Sequence, residues 1–108
     1  MSKFIYLRCK YKWGENISIM DMYGNCGCRL SKNIGDDYYF LSDVYVDEDD
    51  RKMGYGNDIL EYVEHFGNIE LKVIAKSWQH DWYKRHGYRD CGNTLRNGFI
   101  YMKKEIIK

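Results

Sequence analysis

Hydrophobic periodicity changes partway along this chain, and that change limits what it can fold into. From Tyr38 to Val46 the residues are aromatic, aliphatic and β-branched, which is strand composition. From Gly54 onward, Ile59, Leu60, Val63 and Phe66 recur at helical spacing, so one face of a helix packs on a sheet. Gly67-Asn68 is a stop for that helix. Ile69 to Ile74 alternates again and reads as a further strand. Strand, helix and strand in succession make a crossover that leaves the two strands parallel.

The turn into that helix reads Arg51-Lys52-Met53-Gly54-Tyr55-Gly56-Asn57. The first backbone N–H groups of a helix have no intrahelical partner, and the helix dipole adds positive charge there. Gly54 and Gly56 let the backbone approach a phosphate without a Cβ in the way, and Arg51 and Lys52 add charge. A glycine-rich turn between strand and helix is therefore a ready anion site. The run Asp47-Glu48-Asp49-Asp50 stands just before it. It reads either as a solvated loop, screened over about 10 Å, or as an attraction for a cationic acceptor at the cleft mouth.

Before this unit the chain is rich in strands. Phe4 to Trp13 is strand-forming, Gly14-Glu15-Asn16 reads as a turn, and Ile17 to Tyr23 reads as a second strand. That strand places Ile17, Ile19, Asp21 and Tyr23 on one side. Gly24-Asn25 marks a hairpin, Cys26 to Leu30 a short third strand, and Ser31 to Asp37 a loop. After the crossover, Ser77 caps a helix from Trp78 to His86, with Trp78 and Trp82 as its buried stripe. Gly87 ends it, Tyr88 to Cys91 starts a strand, and Phe99 to Met102 is the last one. The expected fold class is α/β, a mixed α+β sheet in one domain spanning 1–108. Antiparallel N-terminal strands precede the βαβ crossover, and a helix and a C-terminal hairpin follow it.

Two segments carry a resemblance. Arg51-x-x-Gly54-x-Gly56 after Val44-x-Val46 resembles the acetyl-CoA signature of the GCN5-related N-acetyltransferase (GNAT) family. Downstream, Trp82-Tyr83-Lys84-Arg85-His86-Gly87-Tyr88 is similar to the family's F-Y-E-K-x-G-F run, in the same order and at roughly the same spacing. The resemblance covers about Tyr38 to Lys103 and implies a GNAT-like acyl-CoA N-acyltransferase fold. It implies that the Val44-Tyr45-Val46 strand holds the pantetheine of acetyl-CoA by its main chain. Arg51, Lys52, Met53, Gly54, Tyr55, Gly56 and Asn57 would hold the pyrophosphate. Tyr83 takes the place of the family's acid for the departing thiolate, a role that suits a phenol still protonated at neutral pH. Asp43 is the candidate base, because a subset of relatives begins this strand Glu-Asp-Val-x-Val; Ser42 stands where that glutamate would be. A paired surface carboxylate is the other reading of Asp43, and His65, His80 and His86 are weaker bases. Lys76 occupies the place of a frequent family asparagine. The two helices that relatives carry between their first two strands have no counterpart pattern here.

Charge and cysteines narrow the rest. A net charge of +1 argues against a protein that binds nucleic acid mainly through its field. No apolar run approaches the roughly 20 residues of a membrane span, and the N-terminus opens into a strand pattern, so a cytoplasmic protein is expected. Cys26-Gly27-Cys28 is tighter than the usual metal spacing. It reads as two reduced thiols on one strand face or, with Cys9 or a histidine, as a metal site. The expected function is an N-acetyltransferase moving acetyl from acetyl-CoA to a primary amine (a protein lysine, an N-terminus or a small amine) by direct attack, without a metal. Its partners are acetyl-CoA and that acceptor. With no N-terminal helices the acceptor side is open, which fits a bulky acceptor or a homodimer. The alternative is a non-catalytic coenzyme A-binding or protein-interaction module.

Overall fold

The computed structural model describes residues 4–46 and 55–106, and only the backbone of Tyr55. Among the described residues seven strands form one sheet in the order β1-β2-β3-β4-β5-β7-β6. They are β1 (Phe4–Tyr11), β2 (Gly14–Asp21), β3 (Cys26–Asn33), β4 (Tyr39–Val46), β5 (Ile69–Ile74), β6 (Arg89–Cys91) and β7 (Phe99–Lys104). Helices α1 (Tyr55–Glu64) and α2 (Trp78–Arg85) follow β4 and β5. Neighbouring strands pair antiparallel except β4 and β5, which are parallel across the α1 crossover.

Side-chain alternation gives the sheet two unlike faces. One face carries Ile17, Ile19, Leu30, Leu41, Leu71 and Met102, all buried, and receives Ile59, Leu60 and Val63 from α1. Tyr83 of α2 joins the same cluster, so both helices cover this face. The other face has no helix over it among the described residues. It exposes Leu7, Met20, Ile74 and Tyr101. The first two strands are joined by Lys12-Trp13 alone, which leaves no room for helices between them.

Several boundaries differ from expectation, each for a local reason. The first turn falls at Lys12-Trp13, and Gly14 opens β2 instead of belonging to a turn. A Cβ on Gly14 would lie 2.2 Å from the Lys32 carbonyl oxygen, so this glycine permits close strand contact. Strand β3 runs on to Asn33 because it stays paired with both β2 and β4 past Leu30. Tyr23 does not join Ile17, Ile19 and Asp21 on the core side; it lies in the hairpin turn, 83% exposed. Asp21 ends β2, and its buried carboxylate accepts the N–H groups of Asn25 and Cys26 across that turn. Cys26 and Cys28 are reduced and buried on one face, and burial, then the neighbouring Cys26, pushes the Cys28 thiol up to about 12.

The core should carry the stability. Leu30 is fully buried and Ile34 is 75% exposed. Leu30→Ala should cost about 2–5 kcal/mol in urea unfolding, whereas Ile34→Ala should stay within about 0.5 kcal/mol.

Candidate active site

The parallel pair β4–β5 is short. It is in register only at Tyr39 with Ile69 and Phe40 with Glu70, after which the strands part. The rung before it is closed by the Tyr39 N–H donating to the Asn68 carbonyl at 2.8 Å. Beyond Phe40, β4 remains paired to β3, while β5 is held on its other side by β7. The result is a wedge-shaped gap in the sheet, bordered by main chain from Leu41 onward on one side and Leu71 onward on the other.

A bulge reshapes β4 at the gap. Arg29 pairs with Ser42 and Gly27 with Tyr45, so Asp43 and Val44 together face Cys28. Asp43 takes a φ of 55°, a left-handed conformation that a short polar side chain tolerates. Its carboxylate is exposed and lies 3.7 Å from the guanidinium of Arg29, which projects from the helix-free face. Val44 instead lines a niche on the helix face with Cys28, Leu41, Gly56, Trp82 and Tyr83. Tyr45 lies across Gly27, where a Cβ would come within 2.7 Å of its ring. Val46 packs against the core.

Tyr83 stands at the inner end of that niche, 7% exposed. Burial, and secondarily the neighbouring Cys28, pushes its phenol up to about 12. Its ring is held edge-on by Trp82 at 5.0 Å and by Tyr88 at 5.5 Å. Among the described residues its hydroxyl has no hydrogen-bond partner, yet it is not sealed from solvent. A buried phenol left uncommitted can serve a ligand that enters the niche. The niche itself is a narrow apolar cavity of about 10 Å³, enough for about one water. A roomier hollow of about 280 Å³ lies where Phe40 and Glu70 pair, but its walls are polar, including Lys32, Asp36, Asp37 and Lys103. The niche is the better candidate, because it combines the strand gap with an ionisable group.

Helix α2 closes onto the start of α1. The Trp82 ring lies 3.3 Å from where a Cβ on Gly56 would be, so glycine at this position admits the indole. His86 stacks on Trp82 at 4.3 Å, donates from Nδ1 to the Trp82 carbonyl, and sets Nε2 2.7 Å from Oδ1 of Asn57. The side chain of Asn57 is thus committed to α2. Arg51, Lys52, Met53 and Gly54, with Asp47 to Asp50, lie outside the described residues.

The buried stripe of α2 differs from expectation. Trp78 is 65% exposed, and His80 and Tyr83 are the buried pair, with Trp82 partly covered. The stripe is rotated because Ser77 caps the helix by accepting the His80 N–H, and His80 is bound at both ring nitrogens. Its Nδ1 accepts the Lys76 N–H at 2.9 Å and its Nε2 donates to Asp90 at 2.7 Å. Burial would raise the Asp90 carboxyl, but the hydrogen bond from His80 and nearby Lys84 outweigh it and hold it low. His80 thereby fixes Lys76, whose φ is 63°, at the mouth of the gap. His80, a weaker base by its residue type alone, acts here as a positioning residue; its sequence signal is its place three residues after a capping serine and ten before an acid.

Comparison with known proteins bears on these elements. The sequence model of the acetyltransferase (GNAT) domain matches residues 14–90. The chain belongs to the GNAT acetyltransferase family. An uncharacterized N-acetyltransferase of Staphylococcus saprophyticus is similar to it, 32% identical over 63 residues, a match that covers 58% of this chain and 42% of that relative. The chain thus spans less than half the length of this curated relative. Among solved structures, the ribosomal-protein-S18-alanine N-acetyltransferase from Escherichia coli is similar in fold, with a TM-score of 0.70, 15% identity, and coverage of 98% of this chain and 94% of that one. An aminoglycoside 6'-N-acetyltransferase complexed with coenzyme A has a TM-score of 0.68 and 18% identity, covering 86% and 74% of the two chains. In this GNAT chain the matched residues 14–90 include β4, the strand gap and the tyrosine of α2.

The burial of Tyr83 has a measurable consequence. Its folded pKa lies above the unfolded value, so the stabilisation is complete below about pH 10 and is lost as pH rises toward 12. Between pH 9 and 11 the wild-type chain should lose about 1 kcal/mol more in urea unfolding than Tyr83→Phe. Taking the difference removes the contributions of Tyr39, Tyr62 and Tyr88, which are raised in both proteins.

Proposed function

We infer that this chain is an N-acetyltransferase that moves acetyl from acetyl-CoA to a primary amine by direct attack. The observation that carries this reading is the β4–β5 ladder ending after Phe40, with an uncommitted phenol beside the opening. A strand edge with free main-chain groups accepts an extended pantetheine arm as it would accept another strand. The main chain of Val44, Tyr45 and Val46 runs along that edge, and an amide among them polarises the thioester carbonyl. The Arg51-to-Asn57 turn holds the pyrophosphate at the N-terminus of α1. Membership of the family, and a similar fold solved with coenzyme A, support the same donor.

The chemistry balances with two side chains. The amine nitrogen forms a bond to the carbonyl carbon, the carbon–sulfur bond breaks, and the surplus proton leaves the nitrogen through water toward Asp43. The departing thiolate takes a proton from Tyr83. A phenol near 12 is protonated at neutral pH, and the apolar niche that raises it also raises the basicity of a thiolate formed there. Asp43 and Tyr83 serve opposite faces of the sheet, which keeps the acceptor of the amine proton apart from the donor to the thiolate. The acceptor then arrives over the helix-free face beside Asp43 and Tyr45, which is open enough for an amine on a protein lysine or N-terminus as well as a small amine.

Purified protein should release free thiol from acetyl-CoA in the presence of an amine panel. Tyr83→Phe should lower kcat by about 100-fold and leave the acetyl-CoA dissociation constant by calorimetry within about threefold. Coenzyme binding without thiol release by any amine would mark a binding module, and no binding at all would overturn the donor assignment.

A further inference from the structure

Strand β1 forms one edge of the sheet, and among the described residues no strand pairs with its outer side. Edges of this length are ordinarily blunted by proline, a bulge or an inward charge. This one has no proline and no bulge and runs in unbroken register with β2 from Phe4 to Tyr11; its charges, Arg8 and Lys10, stand on the helix face. The two-residue turn at Lys12-Trp13 closes on a hydrogen-bonded pair, Tyr11 with Gly14. By alternation, Ile5, Leu7, Cys9 and Tyr11 direct their main-chain groups to β2, and Phe4, Tyr6, Arg8 and Lys10 direct theirs outward. On the helix-free face Ile5 and Leu7 stand 54% and 75% exposed in one apolar row, with Met20 beside Ile5 at 42%.

We propose that β1 is a pairing edge for a second copy of this chain, antiparallel about a twofold axis through Leu7. Outward groups sit on even-numbered residues, so only registers that match even with even can bond. Centring on Arg8 sets Arg8 against its own copy, and centring on Cys9 sets Arg8 against Lys10; both place like charges opposite each other. Centring on Tyr6 shortens the overlap of described residues to Phe4–Arg8. Centring on Leu7 keeps the overlap from Phe4 to Lys10 and forms about eight main-chain hydrogen bonds. On the helix face it sets Arg8 over Tyr6 and Lys10 over Phe4. The chain already uses this pairing elsewhere: Lys32 lies over Tyr39 and Lys103 over Tyr38, each within 5.0 Å of the ring centre. On the open face Leu7 meets Leu7 and Ile5 meets Cys9, which covers the exposed row. The twofold fit of charge, hydrogen bonding and apolar contact selects a second copy over an unrelated strand. It does not depend on the acetyl-transfer reading.

Sedimentation equilibrium of the full chain tests it. The weight-average mass should rise toward twice that of one chain between about 5 μM and about 500 μM, the range of a small, weak interface. Leu7→Lys leaves the core untouched and should weaken association at least about tenfold by setting two lysines face to face. In a Cys9→Ser, Cys91→Ser background, Leu7→Cys should form a disulfide-linked dimer on mild oxidation, since residues facing across a non-hydrogen-bonded pair are close enough to bridge. A chain that stays monomeric throughout overturns the proposal, as does a dimer indifferent to Leu7→Lys or a Leu7→Cys chain that fails to cross-link.

Discussion

The arrangement depends on two rungs of parallel pairing. Tyr39 with Ile69 and Phe40 with Glu70 fasten β4 to β5 at one end, and everything that makes a site follows from their separation beyond it. If the ladder ran its full length, the main chain of β4 would be satisfied internally and the sheet would be a closed scaffold. Each strand is secured on its far side instead, β4 by β3 and β5 by β7, so the gap is held open by its neighbours. The bulge at Asp43-Val44 adds a second effect. It directs a carboxylate to the helix-free face and a valine into the niche from adjacent positions.

Helix α2 supplies the rest of the cleft and is positioned from both ends. At its start, Ser77 caps the helix while His80 joins the Lys76 N–H to the Asp90 carboxylate of β6. At its end, His86 and Trp82 lean on Asn57 and Gly56 of α1. Tyr83 lies between these anchors, so its ring is set by packing and its hydroxyl is left uncommitted. The tightness of the niche, at about 10 Å³, means that a ligand reaching Tyr83 must shift the Trp82 contact with Gly56. An aromatic ring resting on a glycine has no interlocking side chain there to displace.

Much of this was legible in the residues. The strand-to-helix change of period located β4, α1 and β5, because each buries one face and the pattern records which. The paired glycines and the Trp82-to-Tyr88 run pointed to the candidate site, since close backbone approach and a positioned phenol need particular residue types. What escaped was set by contacts distant in sequence. Gly14 looked like a turn residue and is a strand residue crowded by Lys32. Trp78 looked buried by its spacing from Trp82, but the capping of α2 and the His80–Asp90 bond rotate the helix and expose it. The bulge in β4 leaves no local mark, because it arises from how β4 pairs with β3 around Cys28.

Coenzyme pairing with main-chain groups of β4 beyond Phe40 is what the proposed function rests on. Amide hydrogen exchange of the ¹⁵N-labelled chain, read residue by residue with and without acetyl-CoA, tests this most directly. Amides within Leu41–Val46 should gain protection on binding while those of β1 and β2 do not change. Binding that leaves the β4 amides exchanging as before would contradict it.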